Sequence, residues 1–229
     1  MRSVKSFQES SAASDSLKAR LNLSFGLMAA IWLLGFVGHF TPLQEWPALF
    51  LYVFGAIGLV LFRGKANGEW REMYVTGGDL KKSLKWGVIG GTLLLLLAMM
   101  NTVIMMKNQN GAAMMSGMQY LLVNRSLLYL YPMLVIAEEF FWRGIMFSAM
   151  IERGFNKHLT VFLTTLFFLL NHFAVAPVNM MEKAMMAMMA LPLGILGGYI
   201  VANSRNVWGS VLVHLIVMTS MIAAIQIIL

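Results

Sequence analysis

Apolar residues run through this chain in blocks of about 20, the length that crosses a hydrocarbon layer about 30 Å thick, and short polar connectors separate the blocks. The pattern predicts seven helices, at residues 23–40, 46–62, 86–106, 121–150, 159–178, 184–202 and 207–229. The expected fold class is therefore all-α, a polytopic transmembrane helix bundle of about seven spans. Residues 1–22 form a polar, Ser-rich arm with no apolar core behind its basic start and no small-residue cleavage site, so it reads as a frayed cytoplasmic arm, not a cleaved signal. Residues 23–229 make a single membrane domain. The fourth block is too long for one straight crossing: it tilts, begins as an interfacial turn around Asn124 and Arg125, or breaks near Pro132, whose missing N–H interrupts a helical ladder.

Composition agrees with the pattern. The chain is 59% hydrophobic and 12% charged, with a mean hydropathy of +0.73, too few polar groups to clothe a soluble globule of this size. The net charge of +7 does not point to nucleic acid, because Lys and Arg gather at the ends of apolar blocks instead of forming a basic face. Arg2, Lys5, Lys18 and Arg20 precede the first block. Arg63, Lys65, Arg71, Lys81, Lys82 and Lys85 follow the second, Arg153 and Lys157 the fourth, and Arg205 the sixth; the alternate connectors hold Glu45, Lys107, and Glu182 with Lys183. Basic residues favour cytoplasmic loops, so the asymmetry predicts a cytoplasmic N-terminus and an external C-terminus. The connector from 63 to 85 mixes Trp70, Tyr74, Leu80 and Leu84 with basic residues, as an interfacial amphipathic helix does. Cysteine is absent, which excludes disulfides, thiolate metal sites and cysteine nucleophiles. The 21 methionines lie mostly in apolar runs and read as adaptable packing.

The candidate chemistry lies in residues that do not suit lipid. An ionised side chain at bilayer depth costs several kcal/mol unless paired or hydrated, yet Glu138, Glu139 and Arg143 share the fourth block, His172 lies in the fifth and His214 in the seventh. Glu139 and Arg143 are four apart on one helical face, in the favoured order of acid before base, and pair as a clamp. Glu138 is turned about 100° from that face and is left to meet something else, as a general base must. A structural reading exists for each residue: the Glu–Arg pair as a packing clamp, a deep histidine as a helix tie. A spare acid beside a clamp, with two histidines from other helices, is harder to explain as packing alone. Asn101 reads as an interhelical tie.

These residues resemble the CPBP family, also called the Abi or CAAX-protease family, which includes CAAX endopeptidases and bacteriocin-processing or immunity proteins. Glu138, Glu139 and Arg143 fit its E-E-x-x-x-R motif, Phe168 and His172 fit F-x-x-x-H, and His214 opens H-x-x-x-N; the motif-bearing core spans about 121–229. The third motif departs, since Met218 stands where the family has Asn, with Thr219 and Ser220 as nearby donors out of register. The resemblance implies a glutamic intramembrane endopeptidase, a hydrolase that needs no cofactor. Glu138 would activate water, His172 orient it or carry its proton, Glu139 and Arg143 hold the arrangement, and His214 stabilise the oxyanion. Implied partners are the lipid bilayer and a membrane-embedded or lipidated peptide or protein, without nucleic acid. The implied location is a bacterial cytoplasmic membrane, as a multi-pass protein. Three alternatives stay open: a zinc-dependent version of the same hydrolysis, a non-catalytic immunity or signalling scaffold, and a proton-coupled transporter, against which the lack of internal repeats argues.

Overall fold

The computed structural model describes residues 2–107, 116–125 and 127–228, with side chains at 14–100 and 116–219 apart from 118, 123, 124 and 126. Asn101 and Ser220 have side chains outside that set. In lipid every backbone N–H and C=O must be satisfied within the protein; the chain meets this with helices, and no strand occurs among the described residues. Among the described residues, five helices are long and apolar enough to cross a membrane: α1 (Arg2–His39, apolar over Ser14–His39), α2 (Trp46–Asn67), α3 (Leu80–Lys107, apolar over Leu80–Met100), α7 (Lys157–Val175) and α8 (Met180–Ser204). Between α3 and α7 come α4 (Ser116–Gln119), a π turn (Tyr120–Asn124), a 3-10 turn (Leu127–Tyr129), and a rod built from α5 (Tyr131–Glu139), a π segment (Phe140–Met146) and α6 (Phe147–Glu152). The last helix is α9 (Trp208–Ile228). The protein is a multi-pass helical membrane protein.

The structure separates the long fourth block by backbone chemistry. The π turn ends at Asn124 and α5 starts only at Tyr131, and Pro132 sits in the first turn of α5, where its missing N–H has no partner to lose. The middle of the rod that follows carries three charges, Glu138, Glu139 and Arg143, and is placed where lipid cannot reach it: residues 137–150 are all buried. The remaining helices close round it through small residues, as membrane helices do when no hydrophobic gain separates protein from lipid. On α8, Gly194 and Gly198 meet Thr165 and Val161 of α7, while Gly197 meets Ser210 of α9; Gly87 of α3 lies against the backbone of Gly209.

Two findings depart from the sequence reading. Helix α1 begins at Arg2, so the Ser-rich arm is continuous with the first span, and within it Ser16 donates to Glu69 and Arg20 forms an ion pair with the same carboxylate. The connector after α2 is not an amphipathic helix. Gly68, in a left-handed conformation, ends α2, and residues 68–79 form turns that bury Met73, Tyr74 and Val75. This loop docks on the α8–α9 corner: Val207 N and Trp208 Nε1 donate to the carbonyls of Tyr74 and Val75, each at 3.0 Å, and Asn206 Nδ2 donates to Gly77 at 2.9 Å. The aromatic spacing that suggested a helix serves instead to pack a loop, and the glycine pair Gly77 and Gly78, both at positive φ, bars continuous helix.

Ionic clusters tie the two ends of the bundle. At one end Arg20 pairs with Glu152 and Glu69, and Arg63 with Glu69. At the other, Lys183 pairs with Glu45, which also bonds to His39 Nδ1, and Lys183 donates to the Phe173 carbonyl. Removing one partner of a buried pair leaves the other charge uncompensated, typically at about 3–5 kcal/mol. Because Lys183 is 2% exposed, Glu45→Ala is expected to cost about that much, read as a lowered unfolding midpoint in detergent. Glu45→Gln, which keeps an acceptor, is expected to cost less.

Candidate active site

The site begins with the order of residues in one rod. Glu139 ends α5 and Arg143 lies in the π segment that follows. Their side chains still meet, with Arg143 Nε 3.5 Å from Glu139 Oε2 and both groups fully buried. The guanidinium lies over the Phe168 ring, 4.7 Å from its centroid, a cation–π contact that suits a desolvated arginine. Glu139 is held by more than the clamp: Ser210 Oγ donates to Oε2 at 2.5 Å and His214 Nδ1 to Oε1 at 2.9 Å. Both donors come from α9, so one carboxylate ties the central rod to the last helix.

Glu138 points elsewhere, as helical geometry predicts. Its Oε2 lies 3.5 Å from His214 Nε2, and the Tyr52 hydroxyl faces it from α2. Tyr52 is wholly buried and accepts a hydrogen bond from Trp142 Nε1 at 2.5 Å. His172 donates through Nδ1 to the Phe168 carbonyl at 2.8 Å. A carbonyl only accepts, so that nitrogen carries a proton and Nε2 is left for other work. Phe168 supports both imidazoles, edge-on at 4.9 Å from His172 and 6.0 Å from His214.

Glu138, His172 and His214 open on one cavity of about 140 Å³. Its walls are otherwise mainly apolar, from α5, α7, α8, α9 and the turns between α4 and α5, and they include Tyr131 and Met218. The cavity brings together the three residues the sequence singled out, with Glu139 and Arg143 immediately behind. Met218, where an Asn stands in the motif, lies on the wall itself. Thr219 is not a substitute donor there, because it is exposed and its hydroxyl donates to the Leu215 carbonyl at 2.7 Å.

Sequence reasoning missed Tyr52, Trp142 and Ser210. Tyr52 sits in an apolar block where a tyrosine reads as packing, and Ser210 lies near a helix start; neither carries a signal of its own. The one usable hint was that Ser210 and His214 are four apart, on the face that must meet Glu139. Among the described residues no group of three or more His, Cys, Asp or Glu side chains is arranged to hold a metal ion.

Residues 120–219 match a protein-family model, Type II CAAX prenyl endopeptidase Rce1-like. Over these residues, a little under half of the chain, the protein is similar to CAAX-type endopeptidases. The matched segment contains Glu138, Glu139, Arg143, His172 and His214, whereas α1, α2 and α3, and with them Tyr52, lie outside it. No curated protein and no solved structure matches the chain.

The link between Ser210 and Glu139 can be broken from a third helix. A Cβ at position 197 would lie 2.1 Å from Ser210 Oγ, and the hydroxyl has to rotate away from the carboxylate to make room. Gly197→Ala and Ser210→Ala are therefore expected to lower stability by about 1–3 kcal/mol each, and the double variant by little more than either. Additive losses in unfolding measurements would separate the two effects.

Proposed function

We propose that this protein is a glutamate-dependent intramembrane endopeptidase that hydrolyses a peptide bond in a membrane-embedded or lipidated peptide or protein. The observation that carries the reading is the meeting of Glu138, His172 and His214 on one cavity inside a helical bundle. In this reading Glu138 takes a proton from water as the water oxygen attacks the scissile carbonyl. His172, its Nδ1 committed to Phe168, presents Nε2 to orient the water or relay its proton. His214 stands between the two carboxylates. Glu139 accepts from its Nδ1 and stabilises the imidazolium, which donates from Nε2 to the carbonyl oxygen as negative charge develops. Collapse of the tetrahedral intermediate breaks the C–N bond, and the proton held by Glu138 or His172 leaves with the amine. Arg143 and Ser210 fix Glu139 and act through it. The mainly apolar walls suit a substrate segment arriving from the bilayer, in a bacterial cytoplasmic membrane with the N-terminus inside.

Both oxygens of Glu139 are engaged by protein donors, which removes it as a zinc ligand. The zinc route would draw on Glu138 with the Nε2 atoms of His172 and His214, so the two routes are separated by experiment. A second reading, a membrane immunity or signalling scaffold, draws on Met218, whose thioether cannot donate to an oxyanion.

The deciding experiment compares N- and C-terminal peptides in membranes of wild-type and Glu138→Gln cells. The substitution keeps size and hydrogen bonding while removing the base, and general-base loss is expected to slow processing about 10²–10⁴-fold, so an uncut precursor accumulates at normal membrane abundance of the enzyme. An unchanged peptide profile supports the scaffold. Loss of cleavage in a chelator, restored by zinc, supports the metal route.

A further inference from the structure

Tyr131 lies in the first turn of α5, on the wall of the cavity shared by Glu138, His172 and His214. Its side chain is buried, and its hydroxyl has no hydrogen-bond partner among the described residues. A buried hydroxyl without a partner is destabilising, and native proteins keep few of them. On a cavity wall such a group is accounted for when its partner arrives with the substrate.

We propose that Tyr131 is a second oxyanion donor, its hydroxyl receiving the substrate oxygen beside His214 when water attacks. The proposal rests on the protease reading above. The other polar groups of the wall already have roles in that reading: with their Nδ1 atoms bonded to Phe168 and Glu139, His172 turns Nε2 to the water and His214 turns Nε2 to the carbonyl oxygen, and Glu138 is the base. Met218 packs in the same apolar cluster as Tyr131 and lines the same wall, and a thioether offers no proton. Tyr131 thus supplies donor capacity in the region where Met218 supplies none. The step balances simply. The water oxygen bonds to the carbonyl carbon, the carbonyl π pair moves to oxygen, and the water proton goes to Glu138. The phenol keeps its own proton throughout and donates only a hydrogen bond. When the C–N bond breaks, the oxygen returns to a carbonyl and the hydroxyl is released.

The test uses the full chain in liposomes and, as probe, a synthetic copy of the precursor that accumulates in Glu138→Gln membranes. Tyr131→Phe is expected to lower kcat about 10²–10³-fold with KM changed by less than about threefold, because an oxyanion donor acts in the transition state. Adding Met218→Asn to Tyr131→Phe places an amide donor on the same wall and is expected to recover about tenfold or more of the lost kcat. A Tyr131→Phe enzyme within about threefold of wild type overturns the proposal, and so does a loss that Met218→Asn does not recover, which assigns Tyr131 to packing. In both cases an inactive Glu138→Gln control leaves the protease reading standing. If Glu138→Gln cleaves like wild type or accumulates no precursor, the protease reading itself falls and the Tyr131 proposal with it.

Discussion

A carboxylate sealed from water needs several partners, and Glu139 has three: hydrogen bonds from Ser210 and His214 of α9, and the charge of Arg143 in its own rod. Taking a charge out of water costs several kcal/mol, and only close geometry with hydrogen bonds on both oxygens offsets it. That requirement dictates the rest. The rod has to run through the middle of the bundle, the small residues of α8 have to let α7 and α9 approach, and His214 is held with one nitrogen committed and the other turned toward Glu138. The acid beside Glu139 is thereby free of structural duty.

The same constraint explains why irregular backbone is tolerated here. The π segment begins immediately after Glu139 and includes Arg143, and π turns recur at functional sites because they re-aim side chains within an otherwise continuous helix. The turns at Tyr120–Asn124 and Leu127–Tyr129 contribute Leu121, Leu122 and Leu127 to the cavity. Non-helical backbone at membrane depth is acceptable where it lines a cavity instead of facing lipid.

Much of this was legible because lipid penalises charge so heavily. Once the apolar blocks were laid out, Glu138, Glu139, Arg143, His172 and His214 stood out as the groups needing an explanation, and four-residue spacing sorted clamp from free acid. The span limits near Pro132 were less readable, since a proline both starts and breaks helices and only the surrounding turns decide which. The 63–85 connector misled because its aromatics face the protein and its glycines, not its hydrophobic spacing, govern the backbone. Tyr52 was invisible for a different reason: its importance comes from what Trp142 and Glu138 place beside it, and nothing within α2 records that.

Tyr52 also bears on what the unit of function is. The segment that matches the endopeptidase family model begins at residue 120, yet the hydroxyl facing Glu138 comes from a helix that ends at residue 67. The signature half of the molecule is therefore not a detachable cassette. A helix without any motif supplies part of the surroundings of Glu138, so a substitution in the early spans alters that environment while leaving every signature residue untouched.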